Sequence, residues 1–140
     1  MRKYWEANPD SFKNKHLLSM HESLHMAVAI RFGCTPQYIL LRTRTGRAEF
    51  GRNLLMQWQA AAVELAPALI DDMSSGDEDF LMRKIPPRER GRGWVWLKKH
   101  REEIIAEAND IARHIPSGPG RLVWSEGEWV WKPKKPKVKR

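Results

Sequence analysis

Hydrophobic side chains recur at helical spacing between Lys15 and Phe32, a stretch that contains neither proline nor glycine. Gly33 follows directly, and a glycine just past the last periodic residue is typical of a helix C-terminus. The residues near one face of this helix are Leu17, Met20, Leu24, Ala27 and Val28. The pattern therefore predicts a long amphipathic helix, with His21 and His25 on the flank of its apolar face.

Alternation of apolar and polar positions predicts two β-hairpins. The first has strands at 37–43 and 47–50 joined by a turn at 45–46, and the second spans 121–131. The first hairpin could hold an extended peptide by main-chain hydrogen bonds, or it could only cover the core. The second carries three tryptophans, more than a short ribbon can bury by itself. We expect these tryptophans either to cover the core or to present an aromatic surface to a partner.

Helical spacing also predicts a second helix at 53–73 and a later one at 94–115. Asn53 is the expected N-cap of the second helix, and Pro67 should kink or restart it because proline lacks an amide hydrogen. The arginine- and glycine-rich segment at 88–93 is predicted to be a flexible loop. This loop could bind phosphate, although a solvated linker is the favoured interpretation.

These elements predict an α+β fold, predominantly helical, with one domain at 1–131 and its core at about 15–115. The net charge is +8, and the segment 132–140 holds six cations and no anion. Alternating lysine and proline cannot bury apolar surface, so this basic tail is predicted to be disordered. It could solubilise the protein or make weak contact with nucleic acid.

The composition also limits location and chemistry. No apolar run approaches the roughly 20 residues that cross a bilayer, and the N-terminus lacks a signal-peptide pattern, so we expect a cytoplasmic protein with no membrane partner. The single cysteine, Cys34, cannot form an internal disulfide or build a cysteine-based zinc site. Any metal must therefore be held by histidines and carboxylates.

Candidate chemistry lies at residues 21–25, which match the pattern HExxH. Two residues four apart project from one face of a helix, so His21 and His25 can reach one ion at about 2.0–2.1 Å. Glu22 is rotated about 100° from His21, which keeps it off the metal but close enough to take a proton from a water. The alternative is a pair of hydrogen-bonded histidines on an amphipathic helix without metal.

A third ligand must come from elsewhere in the chain. Glu64, in the predicted helix at 53–73, is one candidate, although it could simply be exposed. Ser75 and Glu78 have the spacing of a capping box, which predicts a helix from residue 76 to the prolines at 86 and 87. Asp79, one turn into that helix, could point at the same ion, or the acids at 77–79 could only favour the positive end of the helix dipole.

The order of these parts can be compared with known architectures. An HExxH helix, a β-containing connection, an alanine-rich helix with acids at 63–71 and a Ser-x-Gly stretch at 74–81 together resemble the peptidase domain of FtsH-type zinc metalloproteases. The resemblance covers about residues 15–115. It implies His21, His25 and Asp79 as zinc ligands and Glu22 as the catalytic base.

The sequence departs from that family in three ways. Ser23 and Leu24 replace the family's Ala-Gly, and the interval from Ser-x-Gly to the aspartate is one residue shorter, so Asp77 stands beside Asp79 as the third ligand. No AAA ATPase module or membrane anchor precedes the domain. We therefore expect cleavage of unstructured segments, or action with a separate ATPase or through self-association.

The predicted function is that of a zinc-dependent endopeptidase acting on protein or peptide substrates. The ion lowers the pKa of a bound water towards about 7, and Glu22 accepts the proton before passing it to the leaving amine. The alternative is a nucleic-acid-binding or protein-interaction module, in which the HExxH site is degenerate or structural. Its contacts would come from the tryptophan-rich hairpin, the arginine-glycine segment and the basic tail.

Overall fold

The computed structural model describes residues 12–43, 45–51, 55–70, 83–116 and 118–134, and within them it has an α+β fold that is about half helical. The helices are α1 (Phe12–Arg31), α2 (Gln57–Leu65), a 3-10 helix (Ala66–Leu69), α3 (Pro87–Lys99) and α4 (Arg101–Ala112). The strands are β1 (Thr35–Leu41), β2 (Gly46–Gly51), β3 (Gly120–Ser125) and β4 (Glu128–Pro133). No helix among the described residues is long and apolar enough to cross a membrane.

Helix α1 lies at the centre of the domain. It contacts β1 and β2 on one side and α2, the 3-10 helix and α4 elsewhere. Every residue from Leu18 to Ala29 is buried, so α1 is enclosed on all sides and is not the one-faced helix that the apolar spacing predicted. The polar side chains of this helix are therefore held inside the protein, where they need polar partners or a function.

The two predicted hairpins are confirmed, and they join into one antiparallel sheet with strand order β2-β1-β3-β4. The junction is the pairing of β1 with β3, in which Ile39 lies opposite Leu122, both fully buried. The turn of the second hairpin contains Glu126 and Gly127, both with positive φ, at 51° and 82°. Paired positive φ values suit the right-handed twist of the flanking strands.

The tryptophans of the second hairpin pack towards the domain. Trp131 and Trp129 lie against the hydrophobic core, and Trp129 forms an edge-to-face pair with Trp124 at 5.0 Å between ring centroids. Of the two uses expected for these rings, the structure favours covering the core. Their large apolar area and their cross-strand pairing both stabilise the edge of the sheet.

Two helix predictions need correction. The predicted loop at 88–93 is part of α3, and the single helix predicted at 94–115 is two helices separated at His100. Proline at the first helical position favours the start of α3, and Gly93 lets α3 pack closely on α2. A Cβ on Gly93 would lie 2.7 Å from the Trp58 carbonyl oxygen. Tertiary packing thus selects a helix where the local glycine content predicted a loop.

Helix α2 begins at Gln57 instead of at the predicted residue 54, with Met56 as its N-cap. The Met56 amide donates to Oε1 of Gln59 at 2.9 Å, which satisfies one of the amide groups at the helix start. The α-helix ends at Leu65 and a 3-10 helix that contains Pro67 follows from Ala66, so the helix restarts next to the proline as predicted. The predicted cap Asn53, residues 76–82 of the next predicted helix and residues 135–140 of the predicted tail lie outside the described residues. The prediction of a disordered tail from residue 132 is wrong at its start, because Lys132 and Pro133 belong to β4.

Candidate metal centre

The middle of α1 brings three ligand-type side chains together. His21, Glu22 and His25 are all buried, and one donor atom of each lies within 4.8 Å of those of the other two. The two imidazole rings meet edge to face with 5.0 Å between their centroids. The i, i+4 spacing therefore places both rings next to each other on one side of the helix, as predicted.

A hydrogen bond shows which ring nitrogen of His25 carries a proton. Its Nδ1 lies 2.7 Å from the backbone carbonyl oxygen of Val63, which can only accept, so Nδ1 carries the proton. In the neutral imidazole the lone pair is then on Nε2, the atom that could bind a metal. Metal-binding histidines commonly donate their second ring nitrogen to a carbonyl or carboxylate in this way. The donor set of two histidines and a carboxylate consists of residue types that could hold a metal ion.

Glu22 lies between His21 and strand β2. Its Oε1 is 3.7 Å from Nε2 of His21, and its Cγ would be 2.8 Å from a Cβ built on Gly46. Glycine at position 46 therefore lets the strand approach the carboxylate closely. Among the described strands, β2 pairs only with β1, so its second edge is not used by the sheet. The candidate base thus lies beside an edge strand.

The structure does not bring Glu64 into this group. Glu64 is half-buried on α2, directly after Val63, but its carboxylate is not among the donor atoms that lie within 4.8 Å of one another. Asp79 and Asp77, the other two candidates for the third ligand, lie outside the described residues. The two histidines and Glu22 are therefore the part of the predicted site that the described residues contain.

A cavity of about 120 Å³ lies close to this group. Its lining is mostly apolar and includes Leu18, Leu41, Pro116 and Pro119, with Ser19 and Arg42 as polar members. Ser19 lies three residues before Glu22, about one turn along α1. The side chain of Leu41 would approach within 3.0 Å of a Cβ on Gly46, the position that faces Glu22. Leu41 therefore lines the cavity and also faces Gly46, the residue beside Glu22.

Sequence reasoning missed two residues of this site. Val63 contributes only its backbone carbonyl, and Gly46 contributes the absence of a side chain, so neither is visible in a search for ligand types. The sequence gives a weak indication at both positions. Gly46 lies in the turn of the first predicted hairpin, and residue 63 begins the helical segment that resembles the protease family. Both residues reach α1 only through the tertiary packing of α2 and β2 against it.

Comparisons with known proteins do not identify the chain. Neither a protein-family model nor a curated protein matches this sequence.

Proposed function

We propose that the protein is a zinc-dependent endopeptidase whose metal is held by His21 and His25 and whose proton acceptor is Glu22. One observation carries this proposal: one donor atom each of His21, Glu22 and His25 lies within 4.8 Å of the other two, while Nδ1 of His25 is used by the Val63 carbonyl. Two imidazoles and a carboxylate gathered at one buried point of a helix are the residue types from which metal sites and acid-base sites are built. A carboxylate outside this group, with Asp79 as the candidate, would complete the ligand set.

A zinc ion bound there would supply Lewis acidity, which makes a water easier to deprotonate and a peptide carbonyl easier to attack. Glu22 accepts the proton from the attacking water on a carboxylate oxygen and later delivers it to the nitrogen of the leaving amine. The contact between Gly46 and Glu22 limits where that carboxylate can turn. Burial of Glu22 excludes bulk water that would otherwise compete for the proton.

The proposed substrate is an extended, unstructured peptide. Among the described strands β2 pairs only with β1, and its outer edge near Gly46 would pair with such a peptide by main-chain hydrogen bonds and hold the scissile bond near Glu22. The cavity lined by Leu18 and Leu41 has room for one aliphatic side chain of the substrate. We therefore propose a preference for a leucine- or methionine-sized residue close to the cleaved bond.

The test compares the purified protein with its Glu22→Gln and His21→Ala variants. Elemental analysis should find about one zinc per chain in the wild-type protein and in Glu22→Gln, and less in His21→Ala. Hydrolysis of a panel of unstructured fluorogenic peptides should fall by at least about 100-fold in Glu22→Gln, because a general base typically contributes that much or more. Circular dichroism of all three proteins serves as the folding control.

Two outcomes would refute the proposal. The first is wild-type protein that neither contains zinc nor takes it up after dialysis against zinc. The second is a Glu22→Gln variant that cleaves the same peptides at the wild-type rate. Zinc with normal affinity but no cleavage of any peptide would instead support the alternative of a structural metal site.

A further inference from the structure

The outward side of α3 carries a continuous basic face. Along this helix, Arg88, Arg92 and Lys99 follow one another at intervals of four and seven residues, which places them on one side over about 16 Å. The residues of this basic face, all exposed, are Arg88, Gly91, Arg92, Val95, Lys98 and Lys99. The opposite side contains the buried Gly93 and Leu97 and packs on α2. The orientation of α3 is therefore fixed, with its cations directed outwards.

The cations of this face are not neutralised within the described part of the chain. None of Arg88, Arg92, Lys98 and Lys99 forms an ion pair with a described residue, and Arg92 lies over the Trp58 ring at 4.7 Å. On the next helix, α4, the acidic residues Glu103 and Glu107 form ion pairs with Arg31 of α1. Like charges four apart on a helix repel each other, so an anionic partner would remove an unfavourable interaction that the isolated fold retains.

Gly91 is a second, independent indication of a partner. A Cβ on this residue would meet nothing within 4 Å, so packing does not require a glycine. Glycine inside an exposed helix is unfavourable compared with alanine because it loses more backbone entropy on folding. Gly93, two residues later, has a packing reason that Gly91 lacks. A glycine in the middle of the basic face would let another surface approach the helix backbone closely.

We propose that this basic face binds double-stranded DNA through its phosphates, independently of the metal centre. An α-helix of 10–12 Å diameter fits the major groove of B-form DNA, which is about 12 Å wide. Arginine and lysine along one side of the helix then reach the phosphates that flank the groove. The deep and narrow major groove of duplex RNA does not admit a helix, so the geometry favours DNA.

Other anionic partners fit this face less well. A membrane-binding helix must insert its apolar side into the lipid, but the apolar side of α3 is packed on α2. Single-stranded nucleic acid is held largely by stacking on exposed aromatic rings. On α3, Trp94 and Trp96 are only half-exposed and pack against the core, and no aromatic residue belongs to the basic face.

The test measures binding of a fluorescein-labelled DNA duplex of about 20 base pairs by anisotropy at several salt concentrations between about 50 and 200 mM. The variant Arg88→Gln/Arg92→Gln/Lys99→Gln removes three proposed phosphate contacts. We expect the slope of log affinity against log salt to become shallower by roughly 2 to 3 and the affinity at low salt to fall more than 10-fold. The control Arg47→Gln/Arg113→Gln/Arg121→Gln removes the same charge from other exposed positions and should bind nearly as well as wild type.

A charge-neutral variant separates this site from the effect of net charge. Gly91→Leu keeps every cation and places a good helix-forming residue on the basic face, so the fold should be retained while duplex binding weakens several-fold. Removal of residues 135–140 tests the basic tail, and a variant that lacks them should still depend on Arg88 and Arg92. The same labelled strand without its complement, a duplex RNA of the same sequence and vesicles containing phosphatidylserine are the competing ligands.

Several results would overturn the proposal. They are an equal loss of affinity in the two triple variants, no effect of Gly91→Leu, and binding to duplex RNA, single-stranded DNA or anionic vesicles as tight as binding to duplex DNA. Loss of all DNA binding on removal of residues 135–140 would also overturn it, because the tail would then be the binding element. Since Glu22→Gln keeps the basic face intact, its DNA binding should equal that of wild type whether or not the endopeptidase proposal holds.

Discussion

The imidazole of His25 on α1 donates from Nδ1 to the backbone carbonyl oxygen of Val63 on α2, at 2.7 Å. This contact links two helices that are separated by the first hairpin, and it sets the tautomer of the histidine. The carbonyl belongs to the main chain, so the contact depends on how α2 packs on α1 and not on the identity of residue 63. The candidate metal centre is thus part of the packing of the core.

Replacing His25 should remove metal binding. We expect His25→Ala to lower zinc affinity at least about 10-fold, since it deletes a proposed ligand together with the hydrogen bond that orients it. The measurement is a competition titration with a chromophoric chelator. His114→Ala is the matched control, because His114 is an exposed histidine at the end of α4. Equal zinc affinity of the two variants would exclude His25 as a ligand.

Gly46→Ala should impair the proposed proton transfer without removing the metal. The new Cβ would lie 2.8 Å from Cγ of Glu22, so the carboxylate must turn away from its present position. A misplacement of this size can reduce a rate by about 100-fold, and we expect the loss in kcat for peptide hydrolysis with zinc content unchanged.

Gly51→Ala provides the control for that experiment. Gly51 is at the other end of β2, where a Cβ would be 3.5 Å from Cβ of Thr35, an ordinary contact distance. This variant should keep the wild-type kcat. Equal rates for Gly46→Ala and the wild-type protein would show that the position of Glu22 does not limit hydrolysis.

Ser23→Ala should stabilise the protein. Ser23 is fully buried, and its hydroxyl has no hydrogen-bond partner among the described residues. A buried hydroxyl without a partner costs about 1–3 kcal/mol, and alanine removes it with little change in shape. Chemical denaturation should therefore show a free energy of unfolding about 1 kcal/mol higher than in the wild-type protein. Ser125→Ala, at an exposed position, should change it little, and a destabilised Ser23→Ala would indicate that the hydroxyl is satisfied.

The two glycines of α3 should respond in opposite directions to alanine. At Gly93, a Cβ would lie 2.7 Å from the Trp58 carbonyl oxygen and 3.0 Å from the Ala62 amide nitrogen, so Gly93→Ala must separate α3 from α2. We expect this variant to lose about 1–3 kcal/mol in the free energy of unfolding. Gly91→Ala should gain about 0.5–1 kcal/mol, because position 91 is open and alanine favours the helix. Thermal unfolding of both variants measures these changes. A change of the same sign in the free energy of unfolding for both variants would contradict the packing described for α3.

The sequence by itself determined the local elements. The spacing from Lys15 to Phe32 was sufficient for α1, and alternation was sufficient for both hairpins, because these patterns depend on residues a few positions apart. The same spacing placed His21 and His25 on one side of α1. The prediction failed at 88–93, where two glycines weaken the local signal for a helix that is stabilised by its contact with α2.

Tertiary structure decided everything that depends on long-range contact. The pairing of β1 with β3 joined two separate hairpins into one sheet, and the burial of α1 on all sides turned its polar residues into an interior site. The carbonyl of Val63 and the open backbone of Gly46 reached that site although neither has a side chain that marks it. Such contacts follow from the packing of distant segments, and a single sequence specifies that packing only through the whole fold.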